Sequence, residues 1–226
     1  MPVNEIAYQA IITELKPQHV TLVAVSKTKP ISDIETLYNL GQRDFGENYV
    51  QEFVEKAPQL PADINWHFIG HLQSNKVKYI APFVHLIHGV DSFKLLQEIN
   101  KQALKNNRVI NCLLQVHIAD ETTKFGFDEA ELKNAMHQIQ DPIAIGLKNI
   151  KIIGLMGMAS FSDDVEKVAN EFKKLKALFD KYAQQTTSNI QLQTLSMGMS
   201  GDYQLAIKQG SNMIRIGSML FGSRNN

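Results

Sequence analysis

A lysine, Lys27, follows the apolar run Val20-Thr21-Leu22-Val23-Ala24-Val25-Ser26, and an arginine, Arg215, sits in Met213-Ile214-Arg215-Ile216 near the other end of the chain. If both runs are β-strands, side chains alternate between faces, so Thr21, Val23, Val25 and Lys27 share one face. Ile214 and Ile216 then share a face, and Arg215 takes the other. A lysine and an arginine aimed into one apolar interior cost several kcal/mol unless something anionic meets them. Two glycine- and hydroxyl-bearing segments could grip an anion: Ser196 to Gly201, with Gly198 and Ser200 inside it, and Gly217-Ser218. Glycine lets backbone N–H groups come close to a phosphate. Ser200 also suits the N-cap of the helix after it, and the two roles are compatible. An amine in a water-poor site beside a fixed cation has a lowered pKa and becomes a nucleophile toward carbonyls. These residues together point to a phosphorylated carbonyl compound held as a Schiff base on Lys27.

The elements that must position them alternate along the whole chain. Strands are expected at residues 20–25, 43–45, 66–69, 84–90, 111–118, 152–156, 192–195 and 213–216. Helices are expected at 4–15, 32–40, 50–56, 75–80, 92–106, 129–138, 164–185 and 202–208. Eight strands separated by helices call for a parallel sheet with helices outside, and eight units of about 28 residues match a (β/α)8 TIM barrel. An open doubly wound sheet would show G-x-G-x-x-G after its first strand, whereas this strand ends in Ser26-Lys27-Thr28-Lys29-Pro30. No linker or low-complexity segment divides the chain, so residues 1–226 are expected to form a single barrel domain. The active face of such a barrel lies at the carboxyl ends of the strands. That face collects Lys27, Gly46-Glu47-Asn48, Gly70-His71, Asp91, His117 with Lys124-Phe125-Gly126, Gly157-Met158, the loop from Ser196 to Ser200, and Arg215 to Ser218.

Composition narrows the partners. Lys plus Arg and Asp plus Glu both number 23, a formal charge of zero, which argues against nucleic acid or an anionic membrane as partner. The single cysteine, Cys112, lies in an apolar run and reads as a buried hydrophobe. No apolar stretch approaches the roughly 20 residues of a membrane span, and the N-terminus does not read as a signal peptide. A protein of the cytoplasm is expected.

The blocks Ala24-Val25-Ser26-Lys27-Thr28-Lys29-Pro30, Phe45-Gly46-Glu47-Asn48-Tyr49-Val50-Gln51-Glu52, Trp66-His67-Phe68-Ile69-Gly70 and Leu72-Gln73-Ser74-Asn75-Lys76 resemble the pyridoxal phosphate homeostasis protein family. The resemblance continues in Gly154-Leu155-Met156, Leu195-Ser196-Met197-Gly198-Met199-Ser200 and Arg215-Ile216-Gly217-Ser218. It covers nearly the whole chain in order. It implies a barrel like the N-terminal domain of alanine racemase and the fold type III pyridoxal 5'-phosphate (PLP) enzymes. It places the PLP lysine at Lys27, the arginine facing the pyridine nitrogen at Arg215, phosphate contacts at Ser200, Gly217 and Ser218, and Asn48 near the cofactor. Met158 and Ser196, in the same mouth, complete the expected cofactor-binding set. His117 stands where the family leads one to expect asparagine.

The resemblance implies a carrier and reservoir of PLP, with apoenzymes as acceptors, and not an enzyme. A racemase needs a second base on the opposite face of the substrate, from another domain that this barrel lacks, and a water-excluding site. A permanently charged Arg215 at the pyridine nitrogen would disfavour its protonation and weaken the ring as an electron sink. The competing readings are a PLP-dependent racemase-like enzyme of narrow activity, a phosphosugar aldolase using Lys27, and an interaction protein with incidental PLP. A monomer is expected. Lys29 is the lesser candidate for the linkage. His67 and His71 read as packing or hydrogen-bonding groups before metal ligands. Met156, Met158, Met197 and Met199 read as barrel lining, and Phe221 as the seal of the final turn.

Overall fold

The computed structural model describes residues 3–119, 125–140 and 146–222. Eight parallel strands close into a barrel in sequence order: β1 (Thr21–Val25), β2 (Asp44–Glu47), β3 (Asn65–Phe68), β4 (Leu86–Val90), β5 (Ile110–Val116), β6 (Ile150–Gly157), β7 (Ile190–Ser196) and β8 (Met213–Ile216). Helices alternate with them: α1 (Glu5–Leu15), α2 (Ile31–Asn39), α3 (Val50–Lys56), α4 (Val77–Ile80), α5 (Phe93–Lys105), α6 (Glu129–Gln140), α7 (Val165–Ala183) and α8 (Tyr203–Lys208). A further short helix, α9 (Ser218–Phe221), follows β8 where sequence reasoning expects only a tail. The barrel closes because β8 pairs with β1, Val23 opposite Arg215 and Ala24 opposite Ile216. α1 packs on β1 and α9, and Asn4 donates its backbone N–H to the Leu220 carbonyl at 2.7 Å. It thereby covers the seam that so short a final helix leaves open.

Alternation along each strand builds two apolar layers. Val23, Leu86, Leu113, Met156 and Met213 fill the interior, with Ile153 and Met158 against them. The outward residues, among them Ala24, Phe45, Trp66, Phe68, Ile214 and Ile216, join the larger core beneath the helices. Phe53 of α3 anchors one side of that core, its ring 5.5 Å from Trp66 and 5.9 Å from Phe68. The four methionines divide between the layers. Met156 and Met158 belong to the interior, Met197 turns out toward the helices, and Met199 reaches the surface at the mouth. Met197 therefore departs from the barrel-lining expectation, because β7 ends at Ser196 with that serine inward and the next residue takes the other side. Cys112 is fully buried, and burial raises its thiol pKa.

Strands β2, β6 and β7 run further toward the mouth than expected, so Glu47, Gly157 and Ser196 are strand residues and not loop residues. Where β6 passes β7 the backbones are close enough that a Cβ on Gly154 would lie 1.7 Å from the Thr194 carbonyl oxygen. Gly154→Ala is therefore expected to cost at least about 2 kcal/mol in chemical denaturation, since backbone on neighbouring strands cannot yield as a side-chain end can.

Candidate functional site

At the carboxyl ends of the strands lies a cavity of about 910 Å³. Its wall includes Lys27, Asn48, Met158, Ser200, Arg215, Gly217 and Ser218, which the sequence assigns to one mouth from five different strand ends. Ser196 is not in that wall. It is fully buried on the last residue of β7, beneath the mouth, and its Oγ accepts a hydrogen bond from Arg215 Nη1 at 2.6 Å. Lys124 lies outside the described residues.

Arg215 is only 4% exposed. Its Nη2 donates to the Gly157 carbonyl at 3.1 Å, and its backbone N–H to the Gly198 carbonyl at 3.0 Å. Burial lowers its pKa to about 10, which still leaves it charged at neutral pH. Asn48 has its Oδ1 buried in the structure without a hydrogen-bond partner. An acceptor in that state, in the wall of a cavity, is a place for a ligand donor or a water.

Lys27 is held by a buried network that sequence reasoning missed. Ser26 and Thr28, its two neighbours, are both tied to the α3 side of the sheet. Lys56 Nζ, near the end of α3, donates to the Ser26 carbonyl (2.8 Å), to Glu47 Oε1 (2.9 Å) and to Glu52 Oε1 (2.6 Å). Ser26 Oγ donates to Glu47 Oε1 at 2.7 Å, and Thr28 N–H to Glu52 Oε1 at 2.5 Å. Glu47 is wholly buried and Lys56 nearly so. Desolvation raises the Glu47 pKa, opposed by the Lys56 ammonium. Thr28 has φ of 63°, a left-handed conformation that a β-branched residue rarely adopts. The Glu52 carboxylate holds it there, which turns the chain sharply just after Lys27. The signal in sequence was slight: Phe53 and Lys56 lie three apart on one helix face, and Glu52 and Lys56 four apart.

Lys29, the lesser candidate, donates Nζ to the Phe221 carbonyl at 2.7 Å and so ties the β1 loop to the end of α9. Phe221 is buried, as expected of a seal. Ser200 is not the N-cap of α8, which begins at Tyr203 with Asp202 before it. Asp202 Oδ1 instead accepts the Met199 N–H at 2.6 Å, which shapes the β7 loop. His71 pairs with Asp91 at 3.0 Å, and its ring stacks on Phe125. His67 lies inside the barrel, 3.0 Å from Asp44 and 2.8 Å from His88.

The closed eight-stranded barrel agrees with the family profile "Alanine racemase, N-terminal domain", which matches residues 7–225. The pyridoxal phosphate homeostasis protein of Aquifex aeolicus is 42% identical over 90% of this chain and 86% of its own. That of Synechocystis sp. is 42% identical over 96% of this chain and 97% of its own. The chain belongs to the pyridoxal phosphate homeostasis protein family. Among solved structures, PipY of Synechococcus elongatus, determined with PLP bound, superposes with a TM-score of 0.84. It is 34% identical, and the match covers 96% of this chain and 98% of that one.

Two outcomes follow from the buried groups. Lys56→Met leaves Glu47 and Glu52 without their cation, and a broken buried pair costs about 3–5 kcal/mol, read as a lowered denaturation midpoint. Burial also holds His88 well below the ordinary imidazole value of 6.5, so folded His88 refuses a proton that the unfolded chain accepts. Its contribution to stability is therefore present above pH 6.5 and is lost as pH falls through that value. Thermal melts should show stability dropping by up to about 1.4 kcal/mol per pH unit below it, a slope that His88→Gln reduces.

Proposed function

We propose that the protein binds PLP in the mouth cavity as a Schiff base on Lys27, and serves as a carrier and reservoir of the vitamin with little or no turnover. The observation that carries this reading is the convergence, in one cavity, of Lys27, the buried guanidinium of Arg215 and the unpartnered Asn48 Oδ1. PLP supplies an aldehyde for an amine, an acceptor nitrogen for a cation, a phenolic oxygen and a dianionic phosphate, so the residues present fit it. In this reading Arg215 faces the pyridine nitrogen. Ser200, Gly217 and Ser218 take the phosphate beside the start of α9. Asn48 and Met158 border the ring, and Ser196 acts through Arg215. When bound, PLP would supply an electrophilic carbon that condenses with amines.

The chain's own residues favour holding over conversion. Arg215 stays charged, which discourages protonation of a nitrogen set against it. Tyr203 is the one tyrosine among the described wall residues, and its hydroxyl donates to Glu14 Oε2 at 2.9 Å. Desolvation and that hydrogen bond raise its pKa, so it is ill suited to be an opposing base. The relatives' name, pyridoxal phosphate homeostasis protein, agrees with a carrier. Acceptance of PLP by apoenzymes, action as a monomer and as one domain, and a cytoplasmic setting belong to the same proposal. No helix among the described residues is long and apolar enough to cross a membrane.

Protein given PLP is expected to develop a near-visible absorption band. Lys27→Ala should abolish it, and Lys29→Ala should retain it, because Lys29 is committed to Phe221. Loaded protein mixed with an apoenzyme should restore activity faster than spontaneous release allows. Transfer no faster than release would refute delivery, and useful rates of α-proton loss from alanine or serine would favour the racemase-like reading instead.

A further inference from the structure

Beneath the cavity the barrel interior holds a line of polar side chains, one from each of five strands: Asp44 on β2, His67 on β3, His88 on β4, Ser196 on β7 and Arg215 on β8. They touch in that order. Asp44 Oδ1 lies 3.0 Å from His67 Nε2, His67 Nδ1 lies 2.8 Å from His88 Nε2, and His88 Nδ1 lies 3.3 Å from Ser196 Oγ. Arg215 Nη1 closes the line on Ser196 Oγ at 2.6 Å.

One arrangement of protons satisfies both ends with neutral histidines. A guanidinium only donates, so Ser196 Oγ accepts from it and turns its own hydrogen to His88 Nδ1. His88 then carries its proton on Nε2 and donates to His67 Nδ1. His67 carries its proton on Nε2 and donates to the Asp44 carboxylate. All four bonds run the same way, from the cation to the anion, and aligned bonds polarise one another. Burial, with the Arg215 guanidinium beside it, disfavours a protonated His88, which supports the neutral form. Among the described residues no carboxylate lies within ion-pair distance of Arg215, and Asp202 acts on its charge from further away. Asp44, one quarter exposed, keeps contact with water at the far end and also accepts from Asn65 Nδ2 at 3.3 Å.

We infer that Asp44 is the remote counter-charge of Arg215, and that His67, His88 and Ser196 relay it, positioning the guanidinium and setting the field that PLP meets there. This rests on the reading that PLP fills the cavity with Arg215 in its wall. The other charged or titratable groups packed around the line are His85, whose ring lies 5.6 Å from that of His67, Arg108, which acts on His85, and Asp202 beside Arg215.

Two measurements on the full-length protein decide it. Nitrogen-15 NMR of the cofactor-free wild type should show His67 and His88 both protonated on Nε2; a proton on Nδ1 of either overturns the relay and needs no variant. In PLP-loaded protein, Asp44→Asn removes an anion. It should lower the pH midpoint of the near-visible band by on the order of half a pH unit. In a Ser196→Ala background, where the line is cut, the same substitution should shift the midpoint less than half as much. An equal shift in both backgrounds, or none in either, overturns the relay. A wild type that takes up no PLP overturns the earlier reading and this one with it, whereas uptake without coupling overturns this one alone.

Discussion

A guanidinium shut inside an apolar barrel constrains everything around it. Arg215 has lost nearly all its water, and an uncompensated buried charge would cost several kcal/mol, a large share of a domain's net stability. The fold answers with acceptors: the Ser196 hydroxyl and the Gly157 carbonyl take the guanidinium, and beyond Ser196 two histidines and a carboxylate continue the line. That arrangement explains why the interior of a barrel otherwise filled by valine, leucine and methionine admits polar residues on β2, β3, β4 and β7. It also keeps a fixed positive charge at the floor of an open cavity, where an anionic ligand with an acceptor nitrogen would complete the compensation.

Lys27 is positioned from the other direction. β1 and β8 are neighbours, so barrel closure brings the first strand's lysine and the last strand's arginine to one mouth. The precision comes from outside the barrel. Glu47, Lys56 and Glu52 grip the residues on either side of Lys27, and Glu52 pins the left-handed turn at Thr28. A buried Lys–Glu pair is a poor source of stability compared with packed hydrocarbon. Its use here fits a requirement for geometry, with the amine fixed by its backbone.

Much of this was legible in the sequence. All eight strands and the helices between them could be placed within a few residues, and parity alone sent Lys27 and Arg215 inward while Ile214 and Ile216 faced the helices. What escaped depended on distant contacts. Lys56 reads as an ordinary charged residue at a helix end until α3 packs on β2 and brings it to the Ser26 carbonyl, far away in the chain. His67 and His88 each sit inside an apolar strand at an inward position, but nothing local says that two strands bring their rings together. Sequence alone reads Ser196 as the first residue of the loop after β7; the strand runs to its position, which moves the hydroxyl from the mouth to the floor. α9, four residues long, is too short to leave a periodic signal, and it is the tie from Lys29 that fixes its end.

The most direct test of the central claim is chemical. PLP added to the purified protein, reduced with borohydride and mapped by peptide mass spectrometry, should leave its phosphopyridoxyl group on the peptide containing Lys27. A group found on Lys29 or on any other lysine, or no stoichiometric adduct at all, would contradict the account.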